Sequence, residues 1–195
     1  MEAARAVRHR SQGKRRENFS VETSAIKPDT SSCTVPNLAY LSLGSNVGDR
    51  EAHLRDALAH LSAAGRVVAM SAFYETEPVE FTRQPWFLNC AVALETSHTP
   101  QQLMTAILRI EEEMGRRRVQ KKGPRSIDID ILLFDDTIID STDLTIPHPA
   151  LHQRRFVLEP LAEIAPEALH PALKKTIREL RDALAAGQAV RKMKT

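Results

Sequence analysis

Apolar and polar positions along the chain form short runs typical of strands, separated by longer stretches with helical spacing. The mostly apolar run at 38–43 predicts a first strand. Leu54, Leu58 and Leu61 share one face of a predicted helix that Asp49 would cap. The predicted elements, in chain order, are a strand at 38–43, a helix from 49 to about 64, strands at 67–74 and 86–94, a helix from 99 to 114, a strand at 127–134, a short hairpin within 135–146 and a helix at 173–186.

This order of elements indicates an α+β protein. The order β-α-β-β-α-β is the ferredoxin-like arrangement, a sandwich in which two helices cover one face of an antiparallel sheet. The elements after this pattern would be C-terminal additions. Residues 1–36 are polar, basic and rich in serine and threonine, which predicts a disordered basic extension. We therefore expect one globular domain over 37–188, with a basic tail over 189–195.

Composition narrows the possible classes of function. The net charge is +2, and seven basic and four acidic residues lie within 1–36, so the rest of the chain is not a general polyanion binder. Apolar runs are shorter than the roughly 18 residues of a membrane span, and the beginning of the chain has no apolar signal-peptide core. Cys33 and Cys90 show no zinc or redox spacing, which indicates unpaired thiols in a reducing compartment. We expect a cytoplasmic monomer that binds neither membranes nor nucleic acid.

The strand carrying Asp128 and Asp130 has the strongest chemical signal. Isoleucine alternates with the two aspartates, so both carboxylates project from one face, roughly 7 Å apart along the strand. Two carboxylates on a rigid element can hold one or two hard cations such as Mg²⁺. Arg125 precedes the strand and is well placed for an anionic ligand, a combination that suits phosphate chemistry. The same pattern also fits the solvent-facing side of a half-buried sheet.

Other polar residues could hold a nucleotide. The chain has neither a P-loop nor a Gly-x-Gly-x-x-Gly pattern, so side chains and metal would have to bind phosphate. The charged loop 116–124 offers arginines and lysines for this purpose, although such a loop is also typical of a solvated surface or a nucleic-acid patch. Glu111 could accept a hydrogen bond from a ribose hydroxyl. Alternatively, it is simply one of three consecutive glutamates on an exposed helix surface. His148 is interpreted as a neutral phosphate donor, because Pro149 makes a helical metal pair with His152 improbable.

An aromatic ring and an amide share one face of the strand at 86–94. Phe87 and Asn89 are two residues apart, so both point the same way. A flat ring beside an amide suits stacking and hydrogen bonding of a heterocycle. The same pair would also serve as a core phenylalanine with a structural asparagine.

Five segments occur in a fixed order along the chain. They are SLGSNVG at 42–48, FYETEP at 73–78, FLN at 87–89, GPRSIDID at 123–130 and IPHP at 146–149. Together they resemble the 6-hydroxymethyl-dihydropterin pyrophosphokinase family of folate biosynthesis, over a likeness from about 38 to 167. The resemblance implies that a catalytic domain at 37–188 transfers a pyrophosphoryl group from ATP, as co-substrate, to the pterin hydroxymethyl group and releases AMP.

The resemblance also implies roles for individual residues. The catalytic residues would be Arg116, Arg125, Asp128 and Asp130, of which the two aspartates would bind two Mg²⁺ ions. The ATP-binding residues would be Glu111, Arg116, Arg118, Arg125, Ile131, Thr145, His148 and Arg154. The pterin-binding residues would be Thr76, Val79, Phe87, Asn89 and Phe156. Lys122 stands where some relatives have an aromatic residue that stacks on the pterin.

Two other functions fit parts of the sequence. A ferredoxin-like sheet with aromatic and basic residues could bind RNA, although a carboxylate pair without metal would repel phosphate. A metal-dependent phosphohydrolase would instead release phosphate from ATP without needing a pterin. Magnesium-dependent ATP binding in the absence of RNA separates the first alternative from a pyrophosphokinase, and a requirement for the pterin separates the second.

Overall fold

An antiparallel sheet organises the computed structural model, which describes residues 36–79, 84–116, 125–185 and 187–194. The elements, in chain order, are β1 (Asn37–Ser45), α1 (Arg50–Leu61), β2 (Arg66–Met70), β3 (Tyr74–Thr76), β4 (Phe87–Thr96), α2 (Pro100–Glu113), β5 (Asp128–Phe134), β6 (Ile139–Asp140), β7 (Thr145–Ile146), a 3₁₀ turn (Leu151–Gln153), α3 (Arg155–Ile164), β8 (Leu169–His170), β9 (Lys175–Thr176), α4 (Ile177–Asp182) and β10 (Val190–Lys192). The described residues belong to one compact unit. The predicted α+β class is confirmed.

β1 lies inside the sheet, next to the edge strand β5. The strand order is β10-β3-β4-β1-β5, and β2 also pairs with β4. β1 pairs antiparallel with β4 on one side and with β5 on the other. The hairpins β6-β7 and β8-β9 lie outside this sheet.

The two predicted helices of the ferredoxin-like pattern begin at the expected caps. The Asp49 carboxylate accepts the Ala52 N–H at 3.0 Å and starts α1. Thr99 and Gln102 form a capping box that starts α2. Both helices pack on the face of the sheet that carries Leu41 and Leu43, with their own apolar residues in the same core. Cys90 is a free thiol in this core, where burial raises its pKa to about 12.

The opposite face of the sheet is also covered, which the sequence did not predict. The helix α3 has no counterpart among the predicted elements, and it packs Leu158 and Leu161 against Ala91 and Leu132 of the sheet. The predicted helix at 173–186 is wrong in its bounds, because β9 ends at Thr176, which caps the shorter α4.

Two further expectations differ from the structure at the β3 edge of the sheet. The single predicted strand at 67–74 is two strands, because the Ser71 hydroxyl accepts the Ala91 N–H at 2.9 Å and interrupts the ladder between β2 and β3. The predicted basic tail contains β10, which pairs with β3 and extends the sheet. The expected extension at 1–36 lies almost entirely outside the described residues, as does Cys33. None of the helices in the described part of the chain has the length and apolar character to cross a bilayer.

Candidate active site

The candidate site is a cavity of about 330 Å³ whose floor is formed by β4, β1 and β5. Gly44 of β1 pairs with Asn89 on one side and with Asp128 on the other. Ser42 lies two residues earlier and pairs with Asp130. Directly paired residues share a face of the sheet, so the amide and both carboxylates rise from one surface. The small residues of β1 leave space between them.

Most of the predicted site residues line this cavity. The lining includes all of the predicted pterin residues, namely Thr76, Val79, Phe87, Asn89 and Phe156. It also includes Arg116, Arg125, Asp128, Asp130, His148 and Arg154 from the predicted catalytic and ATP sets. Arg118 and Lys122 lie outside the described residues.

Three predicted ATP residues do not line the cavity. Glu111 is 3% exposed, and its carboxylate accepts the Ile129 N–H at 2.8 Å and pairs with Arg116. The Ile131 side chain is buried in the core beneath α1 and α2, on the opposite face of β5 from Asp130. Thr145 is half-buried in β7. Contact between Ile131 and a ligand in the cavity would therefore have to involve its backbone.

Arginines surround the carboxylate pair. Asp128 Oδ1 lies 2.6 Å from Arg116 Nη2, and Asp128 Oδ2 lies 2.6 Å from Arg125 Nη1. Burial raises the pKa of Asp130 to about 7, with repulsion from Asp128 as the second cause, and the nearby Arg154 opposes the shift. Burial likewise raises the pKa of Glu111. A divalent cation would therefore compete with arginine at Asp128 and with a proton at Asp130.

Asn46 holds Arg125 in place. The Asn46 side chain is buried, and its oxygen accepts the Arg125 N–H at 2.8 Å while the Asn46 N–H donates to the Arg125 carbonyl at 3.2 Å. The Arg125 guanidinium lies 5.7 Å from the centre of the Phe87 ring, a cation–π distance. In the described part of the chain, Arg125 Nε is a buried donor without a hydrogen-bond acceptor. The Arg125 guanidinium thus lies in the cavity wall between Phe87 and Asp128.

His148 and Arg154 approach the carboxylates from the segment before α3. The His148 N–H donates to the Leu132 carbonyl at 2.9 Å, which ties the residue to β5. Its Nδ1 accepts the Ala150 N–H at 3.2 Å, so the neutral imidazole carries its proton on Nε2. Burial and the neighbouring Arg154 lower the pKa of His148 to about 4. This geometry supports the predicted neutral donor.

The other side of the cavity is built for a flat polar group. Asn89 is 3% exposed, and its Nδ2 donates to the Thr76 hydroxyl at 2.7 Å. Its Oδ1 packs against Gly44, where an added Cβ would lie 2.5 Å from that oxygen. The ring of Phe87 lines the same region, and the Phe156 ring lies 5.6 Å from the Arg154 guanidinium carbon. One fixed amide and two aromatic rings therefore converge.

The carboxylate pair fits Mg²⁺ that is shared with a phosphate ligand. No cluster of three or more His, Cys, Asp or Glu among the described residues could hold a metal on its own. Mg²⁺ typically uses one or two protein carboxylates together with substrate phosphates and water. Asp128 and Asp130 match this donor set, because both line the cavity.

Sequence reasoning missed several lining residues. They are Ser42, Gly44, Glu77, Pro78 and Gln84. The alternation of small Ser42 and Gly44 with Leu41 and Leu43 was a usable signal, since it marks one face of β1 as space rather than core. Gln84 accepts from the Asn46 side chain at 3.1 Å, and nothing in its sequence surroundings indicates this contact.

Comparison with known proteins gives a consistent result. The family model for 7,8-dihydro-6-hydroxymethylpterin-pyrophosphokinase (HPPK) matches residues 40–166. The chain is 49% identical to the 2-amino-4-hydroxy-6-hydroxymethyldihydropteridine pyrophosphokinase of Bacillus subtilis over 130 residues, which cover 66% of this chain and 78% of that protein. It is 48% identical to the protein of the same name from Methylorubrum extorquens, over 72% of this chain and 89% of that one.

A solved structure shows the same fold. The wild-type HPPK-DHPS protein of Plasmodium falciparum superposes with a TM-score of 0.61 at 20% identity, over 75% of this chain and 44% of that one. At this identity the likeness concerns the fold alone. The family match and the bacterial relatives lead to one conclusion: the chain belongs to the 7,8-dihydro-6-hydroxymethylpterin-pyrophosphokinase family.

Proposed function

We propose that this enzyme transfers the pyrophosphoryl group of ATP to the hydroxymethyl oxygen of 6-hydroxymethyl-7,8-dihydropterin. The hydroxyl oxygen loses its proton to solvent and forms a bond to the β-phosphorus, the bond from that phosphorus to the α,β-bridging oxygen breaks, and AMP leaves. The proposal includes two Mg²⁺ ions and a monomeric enzyme in the cytoplasm. Its place in metabolism is folate biosynthesis, as for the Schizosaccharomyces pombe relative named "Folic acid synthesis protein fol1", which is 43% identical over 77% of this chain and 21% of that protein.

The observation that carries the proposal is the position of Gly44 between Asn89 and Asp128. This register puts the amide that suits a heterocycle and the carboxylates that suit a metal on one face of three adjacent strands. Neighbouring strands are about 4.8 Å apart, so the two features are separated by about 10 Å. A pterin on Asn89 could therefore present its hydroxymethyl group toward a triphosphate bound above Asp128.

The ATP side would work by positioning and charge neutralisation. Phosphoryl-type transfer needs little covalent chemistry from the protein, so fixed cations and donors supply most of the catalysis. Mg²⁺ held by Asp128 and Asp130 would neutralise the triphosphate when bound. Arg116 and Arg125, which now occupy both oxygens of Asp128, would become available to phosphate oxygens. Neutral His148 would add a donor without adding charge.

The nucleoside would lie along the outer edge of β5. β5 ends the sheet on this side in the described part of the chain, so its outer backbone groups are not used in strand pairing. Glu111 already accepts the Ile129 N–H there. The backbone of Ile131 lies two residues farther along the same edge, and Thr145 of β7 follows in the adjacent hairpin. Glu111, Ile131 and Thr145 would thus contact the nucleoside from this edge, outside the cavity lining.

The pterin side would read the polar edge of the ring and cover its faces. The Thr76 hydroxyl fixes the orientation of the Asn89 amide, which leaves its remaining donor and acceptor capacity directed at the cavity. Phe87 and Phe156 supply aromatic surface for stacking, and Val79 adds apolar area. A buried amide discriminates strongly against ring systems that lack its partners, because an unpaired buried polar group is costly.

A product assay tests the proposal. The enzyme is incubated with Mg²⁺-ATP, with and without the hydroxymethyl-dihydropterin, and the nucleotides are separated by chromatography. We expect AMP and the pterin diphosphate in equal amounts, and only when the pterin is present. Formation of ADP, or equal loss of ATP without pterin, would instead indicate a phosphohydrolase or a simple kinase and would overturn the proposal.

A further inference from the structure

We propose that the C-terminal segment, defined as residues 187–193, positions the pterin-binding walls of the cavity, with Gln188 as the positioning residue. This inference rests on the proposed function and deepens it, because it concerns selectivity between the two substrates. The family match ends at residue 166, so the segment lies beyond the matched part of the chain. From sequence alone, most of it reads as a basic tail.

Gln188 connects two walls of the cavity through one side chain. Its Nε2 donates to the Glu77 carbonyl at 2.8 Å, and its Oε1 accepts the Phe156 N–H at 3.3 Å. Glu77 and Phe156 both line the cavity, one between the predicted pterin residues Thr76 and Val79, the other at the start of α3. An amide is suited to this position because it has a donor and an acceptor on one planar group.

The hydrogen bond to Phe156 meets a need of α3. The first N–H groups of a helix have no acceptor within the helix, and Arg154, the N-cap residue, provides no side-chain cap. Gln188 therefore caps the helix from a distant part of the chain. This contact fixes the backbone that carries the Phe156 ring.

Backbone contacts hold the rest of the segment along the same wall. The Glu77 N–H donates to the Ala189 carbonyl at 3.1 Å, and Val190 pairs with Thr76. The Arg191 guanidinium lies 4.9 Å from the centre of the Trp86 ring, which precedes β4. The segment thus braces the strand ends that carry Thr76 and Phe87. Any sequence could form the backbone pairs, whereas the Gln188 bridge depends on its side chain.

The ATP side of the cavity is held mainly by contacts that do not involve Gln188, although the Arg154 guanidinium also lies 5.6 Å from the centre of the Phe156 ring. Arg154 donates its N–H to the Leu151 carbonyl at 3.4 Å, and its own carbonyl accepts the Leu158 N–H at 3.0 Å. Arg116 and Arg125 are fixed by the carboxylates of Glu111 and Asp128. Loss of the Gln188 bridge should therefore weaken pterin binding much more than ATP binding.

Three variants test the proposal against this asymmetry. Gln188→Met keeps the volume and removes both hydrogen bonds, while Gln188→Glu keeps an acceptor for Phe156 and removes the donor to Glu77. Lys192→Ala is the matched control on β10, because Lys192 contacts Glu163 rather than the cavity. For each we measure KM for both substrates, calorimetric pterin affinity and Tm.

We expect Gln188→Met to raise the pterin KM and Kd roughly 3- to 30-fold, the range for one or two lost neutral hydrogen bonds. Gln188→Glu should also raise both constants, because it removes the donor and sets a carboxylate against the Glu77 carbonyl, and Lys192→Ala should match the parent enzyme. The ATP KM should stay within about twofold throughout. Unchanged pterin constants in Gln188→Met, or equal rises for both substrates with a large fall in Tm, would overturn the inference. A parent enzyme that binds no pterin would instead refute the proposed function.

Discussion

The substitution Gly44→Ala should damage pterin binding while sparing ATP binding. A Cβ at this position would lie 2.5 Å from Asn89 Oδ1, and the next nearest atoms are Asn89 Cγ at 3.7 Å and Phe87 Cδ1 at 3.9 Å. Ordinary contact begins at 3.4 Å, so the amide oxygen would have to move by about 0.9 Å. Asp128, on the other side of Gly44, is not among these nearest neighbours. The perturbation is therefore directed at one side chain.

The size of the effect follows from the burial of that side chain. Asn89 is 3% exposed and donates to Thr76 at 2.7 Å, so a displaced amide breaks this bond and misaligns its remaining groups toward the pterin. Leaving a buried polar group unpaired costs about 1–3 kcal/mol. Pterin affinity should therefore fall roughly 5- to 150-fold. Alanine is better than glycine in a strand by a few tenths to about 1 kcal/mol, which offsets part of the folding stability lost with the Asn89–Thr76 bond.

A double-mutant cycle with Asn89→Ala distinguishes this mechanism from general damage. The assay is calorimetric titration of each variant with the pterin, and separately with Mg²⁺ and a nonreactive ATP analogue. In the Asn89→Ala background the clash is absent, so Gly44→Ala should cost much less there than in the parent, with a coupling of about 1–3 kcal/mol. Equal losses in both backgrounds, or a parallel loss of ATP-analogue affinity, would refute the reasoning.

Three further predictions concern the charged residues. Asp128→Ala and Asp130→Ala should each lower turnover by several orders of magnitude, because both carboxylates face the cavity. The circular dichroism spectrum should be unchanged. A folded variant with a near-normal rate would contradict the role of these carboxylates. The Tm of Asp130→Asn should rise relative to the Tm of the parent as pH increases from 5 to 8. In the parent, the pKa of Asp130 is raised from 3.8 to about 7, and the stability that this shift contributes at low pH is lost as pH rises through that range. A difference in Tm that does not change with pH would contradict the shift. The His148 imidazole should titrate near pH 4 when followed by NMR. Because its pKa is lowered in the folded state, folding stability should decrease as pH falls from 6.5 toward 4. A titration midpoint near 6.5 would show that the ring is solvated.

Local periodicity was sufficient to find two pairs of side chains in the candidate site, whereas Thr76, Arg154 and Phe156 entered only through the family resemblance. Asp128 and Asp130, like Phe87 and Asn89, share a face simply because they are two residues apart in a strand. Periodicity does not indicate which ligand, if any, the neighbouring residues of the strand contact. Ile131 was placed in the ATP set through the family resemblance, yet its side chain is in the core. The contacts of a strand edge depend on the sheet order, which local pattern does not contain.

Helix α3, which the sequence did not predict, forms although its sequence has low helix propensity. Pro160 lies inside α3 and removes a backbone donor, and two more prolines lie shortly before it, at 147 and 149, so the sequence gives poor support for a helix here. Val157, Leu158 and Leu161 nevertheless bury themselves against the sheet. Packing of this kind supplies most helical stability in proteins. It becomes visible only when the opposing face of the sheet is known.

The strand β10 was missed for a related reason. Arg191 and Lys192 are exposed, and three residues are too few for a recognisable alternation. Charged side chains are common on strands at the edge of a sheet, where they discourage pairing with other chains. The strand forms through backbone bonds to β3, which any sequence could make, so composition alone described it as a tail.

Gly44 contributes to the site only by leaving space, so local pattern gives no chemical signal for it. On β1, Leu41 and Leu43 fill the core beneath α1 and α2, while Ser42 and Gly44 leave the other face open. A larger residue at 44 would close the gap between Asn89 and Asp128, where the two substrates must approach. Alternate residues of β1 therefore have opposite requirements. Those on the core face are large and apolar, and those on the cavity face are small. The site depends on β1 through the absence of side chains, which is why a search for reactive groups passes over it.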